Sequence, residues 1–351
     1  MIPAASSAEI DLAIDSAVQR ISDRAARLGD GFCVLGEAIA RAASGGKRLR
    51  PTLVVASFHA FAGDEARLPT VYRVAAAFEL LHTAFVVHDD VIDHDLIRRG
   101  IPNVGGEFRL RALTAGASPG GAATLGDAAG ILAGDLLLHE AGRLIATSDT
   151  TSRAREALFG LLDDAVFVSA AGELADVENA VVPDLAEDAA LIAAARDKTA
   201  VYSFSAPLQA GAVLAGADDA AIAALGDAGA RIGLAFQLVD DLIGAFGTAD
   251  QAGKEEGGDL REAKRTPLIA FARQTAAWSR VNDALAVAHT GPIAIREAQE
   301  ALEASGARTR LRELIDDTLA GAGKHSAARE LPVAARMLLQ DLCVRIQERI
   351  P

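Results

Sequence analysis

This sequence of 351 residues has few cysteines, few aromatic residues and fewer basic than acidic residues. The two cysteines, Cys33 and Cys343, are too few and too far apart for a disulfide framework, and neither belongs to a CxxC pair. We therefore expect a reducing compartment, the cytoplasm. With 48 acidic against 34 basic residues, the formal net charge is −14. This argues against a nucleic-acid partner, because phosphate neutralisation needs a basic face.

Long hydrophobic runs are also missing. The longest candidate, residues 74–87, is interrupted by Glu79 and His82, and no run of about 18 residues is uniformly apolar. The N-terminal stretch MIPAASSAEIDLAIDS has neither a basic segment nor the continuous apolar segment of a signal peptide. We therefore expect neither a membrane span nor a cleaved leader.

Alanine and leucine, by contrast, are abundant, in a composition of 51% hydrophobic but only 4% aromatic residues. Both are strong helix formers, whereas the residues that favour strands are thinly spread. Apolar residues recur at helical spacing almost throughout the chain, which predicts an all-α protein that forms one domain over residues 1–351. The predicted helices lie at about 7–28, 31–43, 51–62, 68–94, 125–147, 151–179, 185–215, 218–246, 262–287, 293–304, 308–321 and 326–349.

Two glycine-rich stretches interrupt this pattern and are typical of flexible loops. They are TAGASPGGAATLG (114–126) and TADQAGKEEGGD (248–259). Within the predicted helix 185–215, Pro207 is expected to kink the helix or split it in two.

The segment HDDVIDHDLIRRG (88–100) concentrates carboxylates directly after an apolar helical pattern. On a helix Asp89 and Asp93 share a face, whereas Asp90 lies about 100° round the axis. Two stacked carboxylates repel each other unless a cation lies between them, and Mg²⁺ binds a few carboxylate oxygens while keeping other positions for phosphates. A solvated helix end is the simpler interpretation of this segment on its own.

A second acidic pair occurs in FQLVDD (236–241), where Gln237 precedes Asp240 and Asp241 by three and four residues. All three side chains can therefore point toward one pocket. Basic residues accompany both acidic segments: Arg98 and Arg99 follow the first, Lys254 and Lys264 follow the second, and Lys47 and Arg50 stand in GGKRLRP before a predicted helix. Each alone is more simply a surface charge. Together they describe a cavity for two diphosphates bridged by Mg²⁺.

These segments resemble the trans-isoprenyl diphosphate synthases, also called polyprenyl synthetases. The resemblance rests on GGKRLRP, ELLHTAFVVHDDVIDHDLIRRG, ILAGDLLL, GELADV, KTA, FQLVDDLIG and GKEEGGDLREAKRTPL, which occur in the family's order over roughly residues 40–270. It implies an all-α bundle of the isoprenoid synthase type around a central cavity, assembled as a homodimer. It also implies a Mg²⁺-dependent head-to-tail condensation of isopentenyl diphosphate with dimethylallyl, geranyl or farnesyl diphosphate.

The resemblance also implies roles for individual residues. Lys47, Arg50, His82 and Arg99 match the isopentenyl diphosphate site. Asp89 and Asp93 match Mg²⁺ ligands, Asp240 matches a further Mg²⁺ ligand with Asp241 close by, and Arg98 matches a contact to the allylic diphosphate. Lys198, Thr199, Gln237, Lys254 and Lys264 match positions around the allylic diphosphate and the developing cation.

The sequence departs from the family pattern at two positions. Gly244 stands where the second motif commonly has a third Asp, and Glu173 stands where a Gln is common. Upstream of Asp89, the resemblance makes Ala84 and Phe85 the residues that set product length. If the small Ala84 points into the tunnel, the product is geranylgeranyl diphosphate, with farnesyl or longer diphosphates as alternatives.

Two other functions stay open from sequence alone. A class I terpene cyclase ionises its substrate in a similar way, but it has no use for a second diphosphate site and so does not account for Lys47, Arg50 and Arg99. A non-catalytic regulatory subunit of a synthase would account for Gly244, but it would more naturally have lost the first acidic segment.

Overall fold

A computed structural model describes residues 4–182, 188–248, 251, 256–326 and 329–351. This part of the chain is helical apart from short turns and one hairpin, so the all-α prediction is confirmed. It divides into two compact units, the first formed by Met1–Leu162 with Ala210–Ala217 and the second by Asp163–Gln209 with Asp218–Pro351. That residues 1–351 form a single domain stays a prediction.

Residues 4–146 supply six helices and the hairpin. The helices are α1 (Ala4–Ala25), α2 (Asp30–Ala43), α3 (Leu49–Ala60), α4 (Leu68–Ile92), α5 (Val104–Thr114) and α6 (Pro119–Ala146). A 3₁₀ turn, Glu65–Arg67, precedes α4. The hairpin joins β1 (Ile97–Arg98) to β2 (Ile101–Pro102) in antiparallel register, with Arg98 opposite Ile101.

The rest of the chain continues with helices of mixed length. They are α7 (Ser152–Val181), α8 (Asp188–Ala200), a π-helical turn (Val201–Ser205), α9 (Ala206–Ala215), α10 (Asp219–Phe246), α11 (Gly258–Arg261), α12 (Pro267–Arg273), α13 (Trp278–Val287), a 3₁₀ turn (Ala288–Thr290), α14 (Pro292–Ala304), α15 (Ala307–Ser326) and α16 (Val333–Gln347).

Helix α4 forms the core of the first unit. Every residue from Val74 to Leu81 is buried, as expected of a helix that is covered on all sides. It packs against α1, α3 and α6. Two glycines of α6 allow the close approach, because a Cβ at Gly130 would overlap Val91 and a Cβ at Gly134 would overlap the ring of His88.

Helix α10 has the same role in the second unit. It packs against α8, the π-helical turn, α15 and α16. Gly229 and Gly233 lie four residues apart on its surface, and their missing side chains let another backbone approach closely. A Cβ at Gly233 would lie 2.6 Å from the Ala200 Cα, and one at Gly229 would lie 2.8 Å from the Ser205 Cα.

Several predicted boundaries were wrong for identifiable reasons. Most of the stretch 114–126 belongs to α6, which begins at Pro119. The N-cap Ser118 accepts a hydrogen bond from the Gly121 amide at 3.2 Å. A serine N-cap followed by proline is typical of a helix start. The glycines nearby led us to predict a loop instead. Helix α5 was not predicted, and the predicted helix 262–287 is divided among shorter helices, one of which begins at Pro267.

The predicted helix 185–215 is divided where Pro207 led us to expect a change. The π-helical turn ends two residues before this proline, which occupies the first turn of α9. Part of the predicted loop 248–259 lies outside the described residues.

Three helices of the described chain are long and apolar enough to cross a membrane by length and composition alone. They are Glu65–Ile92, Pro119–Ala146 and Asp219–Phe246, and 67%, 39% and 44% of their most apolar windows are buried. The first is therefore largely a core helix, whereas α6 leaves much of its apolar surface exposed.

Candidate active site

The first acidic segment ends a partly exposed stripe on helix α4, whose middle is buried. His82, Phe85 and Asp89 are half-buried, and Asp93 is exposed at the C-cap. These residues fall within about 80° of one another around the helix axis, at about 100° per residue. Asp89 and Asp93 therefore share a face, as predicted.

Ala84 lies on a different side of α4. It is 0% exposed and points about 140° away from Asp89. Val91, which contacts α6 at Gly130, lies within about 20° of Ala84 around the axis. Of the two residues predicted to set product length, Phe85 and not Ala84 shares the stripe with the carboxylates.

The hairpin after α4 presents the two predicted arginines in different ways. Arg99 and Gly100 form its two-residue turn, and both have positive φ, at 53° and 78°, as two-residue hairpin turns of type I′ require. Arg98 lies in β1 and its side chain turns back to α4. Its Nε and Nη2 donate to Asp90 Oδ1 at 2.9 and 2.5 Å, and Nη2 lies 3.9 Å from Asp89 Oδ2.

Asp90, omitted from the predicted site, is thus the residue that orients Arg98. Its side chain is buried, and burial raises the pKa of Asp90 although the Arg98 guanidinium acts in the opposite direction. This role could have been predicted from the sequence, because Asp90 lies about 100° round the helix from Asp89, on the side that faces the core. Charge-assisted pairing is the usual arrangement for a buried carboxylate.

The loop of GGKRLRP lies against the hairpin turn. Arg99 Nη1 donates to the Ser44 carbonyl at 3.4 Å, and its guanidinium lies beside Gly45 and Gly46, which have positive φ. A Cβ at Gly46 would lie 3.3 Å from Arg99 Nη2. Lys47 is exposed at the end of this loop, and Arg50 is half-buried in the first turn of α3. The structure therefore brings these predicted residues together at a helix start.

Arg48 anchors this loop and was not predicted. It adopts a left-handed conformation, with φ 49°, as the N-cap of α3. Its guanidinium donates to Asp11 at 2.9 Å, to the buried Glu79 at 3.1 Å and to the Ala43 carbonyl at 3.0 Å. A positive φ at a non-glycine residue persists only when its surroundings hold it, and these three contacts do so.

His82 belongs to the same group. Its Nδ1 atom is buried, and the pKa of His82 is lowered well below its usual value, first by burial and then by Arg50, Arg98 and Arg99. The ring is therefore neutral at physiological pH, and the positive charge of this group comes from its arginines and Lys47.

In the second unit, Gly172 fixes the position of Lys198. A Cβ at Gly172 would overlap the Lys198 backbone, so α7 and α8 touch at this point. Lys198 Nζ then lies 3.1 Å from Glu173 Oε2 and 2.9 Å from Asp176 Oδ2. With Glu rather than Gln at position 173, the ammonium group is held by two carboxylates.

Thr199 and Gln237 meet across the close contact made by Gly233. Thr199 Oγ1 donates to Gln237 Oε1 at 2.8 Å, and Gln237 Nε2 donates to Asp241 Oδ1 at 2.9 Å. Asp241 is buried, and burial, with contributions from Asp259 and Asp240, raises its pKa to about 7. The inward orientation of Asp241 leaves Asp240 as the exposed carboxylate of this pair.

The space beside Gly244 is occupied by a side chain from another helix. The Asp259 carboxylate of α11 occupies the space where a Cβ at Gly244 would lie, and Lys264 Nζ lies 3.6 Å from Asp259 Oδ1. A carboxylate is therefore present near the position of the missing third Asp, although it comes from a later segment. Lys254 lies outside the described residues.

The donor types fit Mg²⁺ bound jointly by protein and substrate. Among the described residues no three His, Cys, Asp or Glu side chains converge as a complete metal site. Asp89 and Asp93 on one face of α4, and the exposed Asp240 of α10, instead offer one or two carboxylates each. Mg²⁺ is commonly bound in this way, by one or two carboxylates completed by water and substrate phosphates.

Comparison with known proteins identifies the family. The polyprenyl synthetase family model matches residues 34–304, so the chain belongs to the polyprenyl synthetase family. A geranylgeranyl diphosphate synthase of Sulfolobus acidocaldarius is 34% identical over 64% of this chain and 62% of its own length. A geranylfarnesyl diphosphate synthase of Natronomonas pharaonis is 30% identical over 87% of both chains.

A solved structure supports the same assignment. The geranylgeranyl pyrophosphate synthase of Corynebacterium glutamicum, complexed with isoprenyl diphosphate and magnesium, superimposes with a TM-score of 0.85. It is 28% identical and covers 97% of this chain and 98% of its own. The chain spans less than two thirds of the Sulfolobus relative, and the named relatives make products of different lengths.

Proposed function

We propose that this protein catalyses the Mg²⁺-dependent head-to-tail condensation of isopentenyl diphosphate with an allylic diphosphate, giving geranylgeranyl diphosphate. Dimethylallyl, geranyl and farnesyl diphosphates are the allylic substrates. The observation that carries the proposal is the first unit's arrangement of Asp89 and Asp93 on one partly exposed helix face, beside guanidiniums held by Asp90 and by the GGKRLRP loop.

Each group of residues then has a part in binding. Asp89, Asp93 and Asp240 would hold Mg²⁺, whose chemistry when bound is to stabilise negative charge on the departing diphosphate. The cationic residues bind the diphosphates themselves. Lys47, Arg50, Arg99 and neutral His82 take isopentenyl diphosphate, and Arg98, Lys198, Lys254 and Lys264 take the allylic diphosphate.

The reaction needs no protein nucleophile. The allylic C–O bond breaks to a carbocation, and the hydroxyl oxygen of Thr199 with the amide of Gln237 offers neutral dipoles that stabilise it without forming an adduct. Their mutual hydrogen bond at 2.8 Å orients both groups before substrate arrives. The isopentenyl double bond then attacks, and the proton leaves to the released diphosphate.

A second product is favoured by one observation. Phe85 shares the stripe of Asp89, whereas Ala84 is fully buried on another side of α4. An aromatic side chain beneath the first carboxylate limits chain growth, which supports farnesyl diphosphate as the alternative product. The named geranylgeranyl synthases among the relatives support the longer one.

We further propose a cytoplasmic homodimer. Five large apolar side chains of α5 and α6 are between 43% and 58% exposed: Leu110, Leu113, Leu125, Ile131 and Leu132. A contiguous exposed apolar patch is typical of a subunit interface. Sedimentation at two protein concentrations, with Ile131→Glu as the disrupting variant, tests this assembly.

The deciding experiment is a product assay. Purified protein is incubated with Mg²⁺, isopentenyl diphosphate and each allylic diphosphate in turn, and products are sized by mass spectrometry. Elongated linear diphosphates support the synthase, and their maximum length decides between the two products. Hydrocarbon products would support a terpene cyclase instead. Folded protein without turnover, active only with an added synthase, would support the regulatory subunit.

A further inference from the structure

The C-terminal segment places a cation on the second acidic cluster, which we define as Asp240, Asp241 and Asp259. Arg349 lies two residues after the end of α16, and its Nη2 donates to Asp240 Oδ1 at 2.7 Å. The same guanidinium lies over the Phe236 ring, 4.3 Å from the centroid. Neither contact could be foreseen from sequence, since 109 residues separate the pair.

The segment is held in this position by independent contacts. Helix α16 packs against α10, which carries both Phe236 and Asp240. Two residues beyond Arg349, the Pro351 carbonyl accepts a hydrogen bond from Arg308 Nη2 at 3.1 Å. Arg308 itself lies over Phe246, at the end of α10, 4.5 Å from its centroid. Arg349 therefore remains beside α10 even when its ion pair is broken.

The ion pair itself is of the exchangeable kind. The Asp240 side chain is 52% exposed and that of Arg349 is 31% exposed. Pairs this accessible to water are weak, because solvent screens them and both side chains lose freedom on pairing. A divalent cation attracts an exposed carboxylate more strongly than a guanidinium in the same place. The Phe236 stacking keeps the arginine nearby after such an exchange.

We infer that Arg349 is a positioning residue that holds the Asp240 carboxylate in the metal-free protein and competes with Mg²⁺ for it. The inference rests on the proposed function, in which Asp240 is a metal ligand. On metal binding the guanidinium is released from Asp240 but stays on the Phe236 ring. It is then a free cation beside the metal, suited to a diphosphate oxygen.

Mn²⁺ binding to the full chain, followed by the electron paramagnetic resonance signal of free Mn²⁺, tests this competition without substrate. Asp89→Asn and Asp93→Asn are present throughout, so that the first acidic segment is silent. We expect Arg349→Gln to bind Mn²⁺ about two- to fivefold more tightly, the factor that removal of a weak exposed competitor allows. Arg345→Gln, which breaks the exposed Arg345–Asp341 pair on the preceding helix α16, is the matched control and should not change the affinity.

Two further variants make the outcome specific. In an Asp240→Asn background the Arg349→Gln effect should vanish. Arg349→Lys should fall between the parent and Arg349→Gln, because it keeps the charge but loses the planar stacking. Thermal melting of each variant establishes that it is folded.

Equal or weaker Mn²⁺ binding by folded Arg349→Gln would overturn the inference, and so would undetectable Mn²⁺ binding in every variant. The product assay on unmodified protein is run in parallel. If that protein elongates isopentenyl diphosphate while Arg349→Gln leaves the affinity unchanged, the inference alone fails. If it does not elongate, the proposed function fails.

Discussion

The occupied space beside Gly244 leads to a prediction about stability. In Gly244→Ala, the added methyl group would overlap the Asp259 carboxylate, so Asp259 must rotate away. That rotation disturbs the contact between Asp259 Oδ1 and Lys264 Nζ, which are 3.6 Å apart. The Asp259 side chain is only 20% exposed, so it has little room to move. Gly244→Asp introduces the residue that the family pattern commonly has here. It adds a second carboxylate to the same space and should therefore destabilise the protein more than Gly244→Ala.

Two opposing terms decide the sign. Alanine stabilises a helix interior by about 1 kcal/mol relative to glycine. Overpacking a filled site costs about 1–3 kcal/mol. The steric term is therefore expected to win, and Gly244→Ala should lose about 1 kcal/mol in the free energy of unfolding.

Urea unfolding at one protein concentration measures this difference. Gly160→Ala is the matched control, because Gly160 lies within α7 and a Cβ there meets nothing within 4 Å. This control should be stabilised by up to about 1 kcal/mol. In an Asp259→Ala background the space beside Gly244 is open, so Gly244→Ala should also become stabilising.

The double-mutant cycle measures the coupling between positions 244 and 259, which includes the disturbed contact of Asp259 with Lys264. A coupling of about 1–3 kcal/mol between positions 244 and 259 is expected from the overpacking range. The reasoning would be refuted if Gly244→Ala were as stabilising as Gly160→Ala, or if its effect were the same with and without the Asp259 side chain.

Three other perturbations test the site. Asp89→Ala should lower kcat by about a hundredfold or more, because several kcal/mol of metal-assisted charge stabilisation are lost; full turnover by the purified variant would refute the metal role. Phe85→Ala should lengthen the product by mass spectrometry, whereas Ala84→Phe should lower the melting temperature without shortening the product, and the reverse pattern would contradict the assigned helix faces. In metal-free protein Asp241 has a raised pKa of about 7, so the folded state binds its proton more tightly than the unfolded state and stability falls as pH rises from about 4 to about 7. Asp241→Asn should gain urea stability over the parent across this window and keep a constant advantage above it; an advantage independent of pH would contradict the shift.

Much of this protein follows from local sequence patterns. Alanine and leucine at helical spacing predict the all-α fold, because propensity and amphipathic burial act over one or two turns. The pairing of Asp89 with Asp93 on one face has the same local origin. Helix boundaries were less predictable where glycine obscured a Ser118–Pro119 start, since a cap depends on one residue rather than on a repeated pattern.

Contacts between distant segments depended on tertiary packing. Phe85 and Ala84 are adjacent in sequence, and only the packing of other helices around α4 decides which of them stays accessible. The Thr199–Gln237 hydrogen bond requires the close helix approach at Gly233.

The same holds for the two charges of the second acidic cluster that sequence reasoning did not assign. Asp259 stands beside Gly244 because α11 returns to α10, and Arg349 reaches Asp240 because α16 packs along that helix. Sequence by itself determined which chemical groups are available and how they repeat along each helix. Packing decided which of them meet, because a contact between distant residues depends on the shapes of all the surfaces that bring their helices together.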